Sequence, residues 1–362
     1  MRLLFVCPDM RTGGAERHWA TLAAELARRG AGVRVLCLAE EGGLFGELGA
    51  AGVPAACIHM RRRSDPRAWR RALAFADPRP DVVVSRGVSG QLAGEAIARR
   101  ARAPHVLNEH TPLTPAGELL PMRRHQRVLT RLIAPRVDHV IAVTSSQIPP
   151  LTRLGYRRER IEVITNGVFD SARPRAAAAG DRSGETFTVL CAARLEPEKG
   201  VGVFIRAVAS ARESRPEIRG LVAGEGPEQA RVERLADGSG VELLGVRDDM
   251  PDLIAAADAV ALTSEAEALP MSVLEAMAAG RPVIVTDIGG MSEAVVQGET
   301  GLLVPAGDAG AAAGALIELA SDPERAQRLG EAGRARQREL FDGERMVDSY
   351  ERSLERVARV GA

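Results

Sequence analysis

LLFVCPDMRTGGAERHWATLAAELARRGAGVRVLCL, residues 3–38, contains three elements in succession. LLFVC (3–7) and VRVLCL (33–38) are unbroken apolar runs, the pattern of strands covered on both faces, and Trp19, Leu22, Ala23 and Leu26 make the apolar stripe of a helix over 15–29. Two such strands joined through a helix run parallel. The pattern recurs along the first half: strands at 54–58, 81–85, 105–107 and 139–143 alternate with helices around 66–76, 89–101 and 121–134. After an Ala-, Gly- and Arg-rich loop at 171–184 it begins again, with strands at 187–193, 218–224, 241–245, 257–262 and 282–286 between helices at 201–213, 228–236 and 272–279. Helical patterns then fill 308–359. This predicts an α/β protein of two doubly wound parallel-sheet domains, 1–165 and 166–341, facing an interdomain cleft. A last helix, 342–362, is expected to pack back across the junction. Open parallel sheets bind ligands outside the carboxyl ends of their strands, where strand order reverses, so functional residues are sought in the loops that follow strands.

Composition narrows the classes. At 362 residues, 45% hydrophobic and 27% charged, the chain is ordinary globular material, too long for one core and too apolar for disorder. Cys7, Cys37, Cys57 and Cys191 lie far apart in strand-like runs with no C-x-x-C pair, so they are expected to be buried thiols in a reducing compartment. No apolar run approaches the ~18 residues of a membrane span, and the N-terminus starts a strand instead of an export signal, so a cytoplasmic protein is expected. The net charge of zero hides an asymmetry: residues 1–165 hold 26 Arg against 15 acids, and residues 166–362 hold 22 basic against 33 acidic residues. Lys199 is the only lysine among 48 basic residues. A compact ammonium spared at one place in an Arg-rich chain marks that place for inspection.

The loops after strands carry the candidate chemistry. Gly13 and Gly14 stand between the first strand and its helix, where backbone approaches a ligand closely and free N–H groups favour phosphate. Neither a G-x-G-x-x-G fingerprint nor a Walker loop is matched there. CAARLEPEKG (191–200) sets Arg194 and the lone Lys199 at a strand's carboxyl end, two cations suited to a departing diphosphate. EAEALPMSVLEAM (265–277) places Glu267 in a loop and Glu275 on the first turns of a helix, and the amides of Met271, Ser272 and Val273 are the unpaired N–H groups of that helix start. Carboxylates in such positions accept from ribose or sugar hydroxyls.

Taken together and in order, G-G-A-E (13–16), N-E-H-T (108–111), I-T-N-G-V (164–168), R-L-x-P-x-K-G (194–200), G-x-G-P (224–227) and the Glu267, seven residues, Glu275 spacing resemble the retaining nucleotide-sugar glycosyltransferases of family 4 with the GT-B fold, built of two Rossmann-like domains. The resemblance covers nearly the whole chain and implies an acceptor-side N-terminal domain and a donor-side C-terminal one. It implies that Arg194 and Lys199 hold the donor diphosphate, Glu275 the ribose, and Glu267 with the backbone of Leu269, Pro270, Met271 and Ser272 the donor sugar. Gly14, beside Gly13, would meet the phosphates, Gly226 belongs to the donor-side turn, and His110 would stand beside the reacting carbon. Arg247, in the turn with Val246, is expected to stack on the nucleobase. The family pattern of Gly and then an aromatic after the first glutamate is replaced here by Ala268 and Leu269.

The implied reaction needs no cofactor. In the family's route the acceptor oxygen attacks on the face the diphosphate leaves, a phosphate oxygen takes its proton, and cations stand where other transferases use a metal. No Asp-x-Asp triplet occurs, so metal ligands for that other type are not expected. Rival readings are a sugar-nucleotide 2-epimerase on the same fold, which needs a paired acid and base at the sugar, and a nicotinamide dehydrogenase using Glu40 or Glu41, against which the missing fingerprint argues. The donor base, UDP or GDP, and the acceptor stay open. RRRSDPRAWRR (61–71) and the stretch 123–136, with Arg123, Arg127 and Arg131 beside Val128, Leu132 and Ile133, suit either solvent or the anionic headgroups of a membrane holding a lipid-linked acceptor. Nucleic acid is not an expected partner, because these stretches lack interleaved aromatics.

Overall fold

The computed structural model describes residues 1–11, 13–62, 65–169 and 186–360. The Ala/Gly/Arg-rich loop at 171–184, Thr12 of the first glycine loop, and Arg63 and Ser64 of the basic stretch lie outside them. The chain divides into two units, one of Met1–Thr111, Leu119–Asn166 and the chain from Glu344 onward, the other of Pro112–Glu118 and Gly167–Gly343.

The first unit runs β1 (Arg2–Asp9), α1 (Gly14–Arg28), β2 (Gly32–Glu40), α2 (Leu44–Ala50), β3 (Ala55–Cys57), α3 (Pro66–Ala74), β4 (Val82–Ser85), α4 (Gly87–Ala101), β5 (His105–Glu109), α5 (Arg124–Ile133), β6 (His139–Ala142), α6 (Ile148–Leu154) and β7 (Ile161–Val163). Its strands form one sheet in the order β3-β2-β1-β4-β5-β6-β7, with every pair parallel. The apolar runs explain it: Leu3 to Cys7 and Val82 to Val84 are buried on both sheet faces. Gly90 lets α4 lie on β1, since a Cβ there would come within 2.8 Å of the Val6 carbonyl oxygen.

The second unit runs β8 (Phe187–Ala192), α7 (Val201–Arg212), β9 (Ile218–Ala223), α8 (Gln229–Ala236), β10 (Val241–Gly245), α9 (Met250–Ala256), β11 (Ala259–Leu262), α10 (Met271–Ala278), β12 (Val283–Thr286), α11 (Met291–Ala294), β13 (Leu302–Val304), α12 (Ala309–Ser321) and α13 (Pro323–Leu340). Its sheet order is β10-β9-β8-β11-β12-β13, again parallel. In each sheet the winding reverses between the first strand and a later neighbour, β1 beside β4 and β8 beside β11. The loops leaving those four strands therefore flank the two switch points.

α14 (Gly343–Val360) returns to the first unit. There Arg29 meets Glu344, Asp348 and Glu351, and buried Tyr350 accepts from Asn108 Nδ2 at 2.8 Å. The helical tract 308–359 is broken twice. Asp322 caps Arg325 N at 2.8 Å with Pro323 next to it, and Gly343 opens the final helix.

The sequence reading lacks β7 and β13, three residues each, and the helices α2, α6, α9 and α11. α6 is hidden because IPPLTRL reads as a loop, yet Pro149 and Pro150 sit in its first turn, where a missing N–H costs nothing. The cysteine reading also needs correction: Cys57 is half-buried, and register places Cys7, Cys37 and Cys57 side by side on β1, β2 and β3.

Candidate active site

The switch point of the second sheet is built from the loops leaving β8 and β11. After β8 the chain makes a tight turn at Pro197–Lys199 and enters α7 through Gly200, whose φ of +60° belongs to the left-handed region. A Cβ on Gly200 would stand 2.0 Å from the Thr263 carbonyl oxygen, so this contact between the loops admits only glycine. Thr263 Oγ1 in turn donates to the Gly200 carbonyl at 3.0 Å, and the amides of Glu265 and Ala266 donate to the Glu198 carbonyl at 2.8 and 3.2 Å. The turn delivers Lys199 Nζ to Glu267 Oε1 at 2.6 Å, and Ser264 Oγ donates to the same oxygen at 2.9 Å. The Lys199 and Glu267 side chains are 16% and 5% exposed, so the pair is shielded from bulk water and its charges attract more strongly than they would in water.

Glu267 is held from both sides. It exchanges backbone hydrogen bonds with Leu113, 3.0 and 2.8 Å, and Gly290 N donates to the Ala268 carbonyl at 2.6 Å. Gly289, at φ +55°, passes so close that a Cβ would meet the Glu267 carbonyl oxygen at 2.0 Å. Leu269 is buried, and Pro270 caps α10, whose first residues Met271 and Ser272 are half-buried. Val273 and Leu274 are buried in the core, so Val273 offers its backbone amide and not its side chain at the helix start, beside the amides of Met271 and Ser272. Glu275 is half-buried on the same helix and hydrogen-bonded or paired.

Arg194 is more exposed and pairs with Glu196 at 3.0 Å. Burial raises the Glu196 carboxyl above the ordinary range, as does neighbouring Glu198, while Arg194 opposes them. Gly224 and Gly226 press against this loop: a Cβ on Gly224 would lie 2.0 Å from the Ala193 carbonyl oxygen, and one on Gly226 2.5 Å from that of Leu195. The G-x-G-P turn thus supports the backbone of the Arg194–Lys199 loop. Arg247, expected to stack on a base, pairs with Asp249 through hydrogen bonds of 2.8 and 2.6 Å, beside exposed Val246.

The switch point of the first sheet holds a separate network. Gly13, with extended backbone, caps α1, and Gly14 is that helix's first residue. Glu16 on the first turn pairs with Arg86 at 2.9 Å; Arg86 also donates to the Asp9 carbonyl at 2.8 Å and lies 5.6 Å from the Trp19 ring centroid. Trp19 Nε1 and His110 Nε2 both converge on Asn108 Oδ1, at 2.8 and 2.9 Å. An amide oxygen only accepts, so Nε2 of His110 carries the proton and Nδ1 is left as a base. Glu109, between them, accepts from Thr111 N at 2.6 Å.

Burial pushes the His110 imidazole well below its ordinary value, and the nearby His18 and Arg86 push the same way. His18, its ring centroid 4.9 Å from that of His110, is lowered to about 4 by burial and by Arg86, and its Nε2 has no hydrogen-bond partner. Both rings are therefore neutral at pH 7. The sequence reading singled out Asn108 within N-E-H-T without its partners, and missed His18, Arg86 and Tyr350 as members of this network. Arg86 was within reach, because it directly follows the strand DVVVS at the switch point; Tyr350 was not.

Residues 12–171 match the model of Glycosyltransferase Family 4, and residues 173–336 match that of Glycosyl transferases group 1. Glycogen synthase of Mycobacterium tuberculosis is 31% identical over 299 residues, 79% of this chain and 69% of that protein. The chain belongs to the group 1 glycosyltransferases of family 4. Exopolysaccharide phosphotransferase SCO2592 of Streptomyces coelicolor is 33% identical to this glycosyltransferase over 258 residues, 64% of the chain but only 27% of that longer protein. HepE (Alr3699) of Anabaena, solved in complex with UDP-glucose, superposes with a TM-score of 0.87 at 24% identity, covering 98% of this chain and 99% of that one. That likeness is one of fold, and the fold of the glycosyltransferase is GT-B.

Proposed function

We propose that this glycosyltransferase moves a sugar from a nucleoside-diphosphate sugar, UDP-linked by preference over GDP, to an acceptor hydroxyl, with retention of anomeric configuration and without a metal. The observation that carries the reading is the shielded Lys199–Glu267 pair at the second sheet's switch point, with Arg194 on the same loop. Lys199 and Arg194 supply positive charge to the diphosphate as the glycosidic bond lengthens. Preorganised charge of this kind stabilises a transition state without reorganising solvent. Glu267 and the backbone of Leu269 to Ser272 hold the donor sugar, Glu275 the ribose, and Gly13 and Gly14 belong to the phosphate-facing loop of the first unit. The acceptor oxygen attacks on the face that the diphosphate leaves, and a phosphate oxygen takes the acceptor's proton. Neutral His110, fixed through Asn108, contributes a dipole and a hydrogen bond but no charge. UDP is preferred because HepE, with the same fold, was solved with UDP-glucose.

For the acceptor we favour a lipid-linked molecule at an anionic membrane surface. Among the described residues no helix is long and apolar enough to cross a membrane. On α5, however, Val128 and Leu132 are 52% and 58% exposed, one turn apart, among Arg124, Arg127 and Arg131. An apolar ridge flanked by guanidinium groups suits the headgroup boundary. Ile133, by contrast, is buried and takes no part.

Thermal stabilisation of the wild type and of Lys199→Ala by UDP, GDP, dTDP and NAD tests the donor site. A ligand at 100 times its Kd adds about 2.7 kcal/mol to the folded state. UDP is expected to stabilise the wild type and not the variant. Stabilisation by NAD alone, or equal response of the variant, rejects the assignment. Formation of a new sugar nucleotide without any acceptor would favour the 2-epimerase alternative.

A further inference from the structure

The first unit's sheet carries a side-chain cluster that the transferase chemistry does not use. Cys7, Cys37 and Cys57 are register partners on β1, β2 and β3. In-register residues of adjacent parallel strands point to the same face, so the three thiols form a row running outward to the edge strand. Cys7 and Cys37 are buried, and Cys57, at the end of the row, is half-buried. Two residues later His59 adopts φ +48°, one of two non-glycine residues with positive φ among the described residues. That conformation is uncommon for a side chain larger than glycine. It turns the imidazole back over Cys57, with Nδ1 3.6 Å from Cys57 Sγ and Nε2 3.6 Å from Glu41 Oε1 at the end of β2. Ligand atoms of Glu41, Cys57 and His59 all lie within 4.8 Å of one another.

We propose that Cys57, His59 and Glu41 form a binding site for a thiophilic divalent cation of the zinc type. The donor set combines a soft sulfur, an imidazole and a carboxylate, the three ligand classes zinc accepts together. One ion takes one imidazole nitrogen: with Nδ1 as ligand, Zn–S of about 2.3 Å and Zn–N of about 2.05 Å at a tetrahedral angle put the two donor atoms about 3.6 Å apart, the separation found here, and the Glu41 carboxylate turns from Nε2 to the ion. His59 and Glu41 are 61% and 54% exposed, so the ion enters from solvent and a water completes the tetrahedron. Binding requires Cys57 as thiolate, so its proton leaves to solvent as the metal–sulfur bond forms. The ion would tie the three-residue edge strand β3 to the turn after β2 through side chains.

Cobalt titration of the tag-free full chain, stripped of metal with EDTA and kept reduced, tests the site. One Co²⁺ per chain with a sulfur-to-cobalt charge-transfer band is expected, displaced by zinc. Cys57→Ser should abolish the band, and His59→Ala and Glu41→Gln should each weaken binding about tenfold or more. The last two replace exposed side chains, so folding is preserved, and circular dichroism checks it. Cys37→Ser should retain the band. Absence of a charge-transfer band, its survival in Cys57→Ser, or unchanged affinity in His59→Ala would overturn the proposal.

Discussion

Lys199 Nζ and Glu267 Oε1 meet at 2.6 Å although 68 positions separate them in the chain. The carboxylate oxygen that receives the ammonium also receives Ser264 Oγ. One loop follows β8 and the other β11, and those strands are sheet neighbours. The lone lysine of the chain is thus fixed by a partner that sequence distance conceals.

Breaking a shielded pair leaves one charge uncompensated, which typically costs about 3–5 kcal/mol. Lys199→Met and Glu267→Gln are each expected to lower unfolding free energy by a few kcal/mol, and the double variant by less than the sum. Denaturant titration of all four proteins measures the coupling; strict additivity would show that the two charges do not support one another.

Gly200→Ala should be strongly destabilising, because its Cβ would stand 2.0 Å from the Thr263 carbonyl oxygen and its φ is +60°. Gly46→Ala in α2 is the matched control, with no atom within 4 Å of the added methyl. There the change should stabilise by about 0.4–1 kcal/mol by restricting the unfolded chain. Melting temperatures of the two variants should shift in opposite directions.

His18 sits at about 4 in the fold, against an ordinary 6.5. A lowered imidazole leaves the folded state with fewer bound protons than the unfolded one between those values. Stability linked to His18 is therefore complete above pH 6.5 and lost as pH falls toward 4. The wild type should lose more stability than His18→Leu over that window, and the His18 ring resonances should titrate near 4.

Glu162 acts in the same direction at lower pH, its carboxyl drawn down to about 2 first by His139, then by Ser353 and Arg356. A lowered carboxyl contributes stability above its ordinary 4.5 and loses it as pH falls toward about 2. The melting-temperature gap between wild type and Glu162→Gln should shrink across that window. A gap independent of pH would mean that the contacts to α14 act by packing alone.

The two parallel α/β sheets, and the loops that carry Arg194, Lys199, Glu267 and Glu275, were legible in the chain before folding was considered. Apolar runs of five or six residues and helical stripes are local signals, and in an open parallel sheet every loop after a strand lies at one end. Composition alone also marked Lys199. Which residues are partners follows from the folded chain. Strand order set β8 beside β11 and so joined Lys199 to Glu267; register aligned Cys7, Cys37 and Cys57; and the return of α14 brought Tyr350 to Asn108, 242 positions away. The pairing of Asp249 with Arg247, and the packing of Gly224 and Gly226 against Ala193 and Leu195, are likewise products of folding. Such pairings depend on which surfaces meet when the sheets assemble, and hydrophobic periodicity records only that a residue is buried, not what buries it.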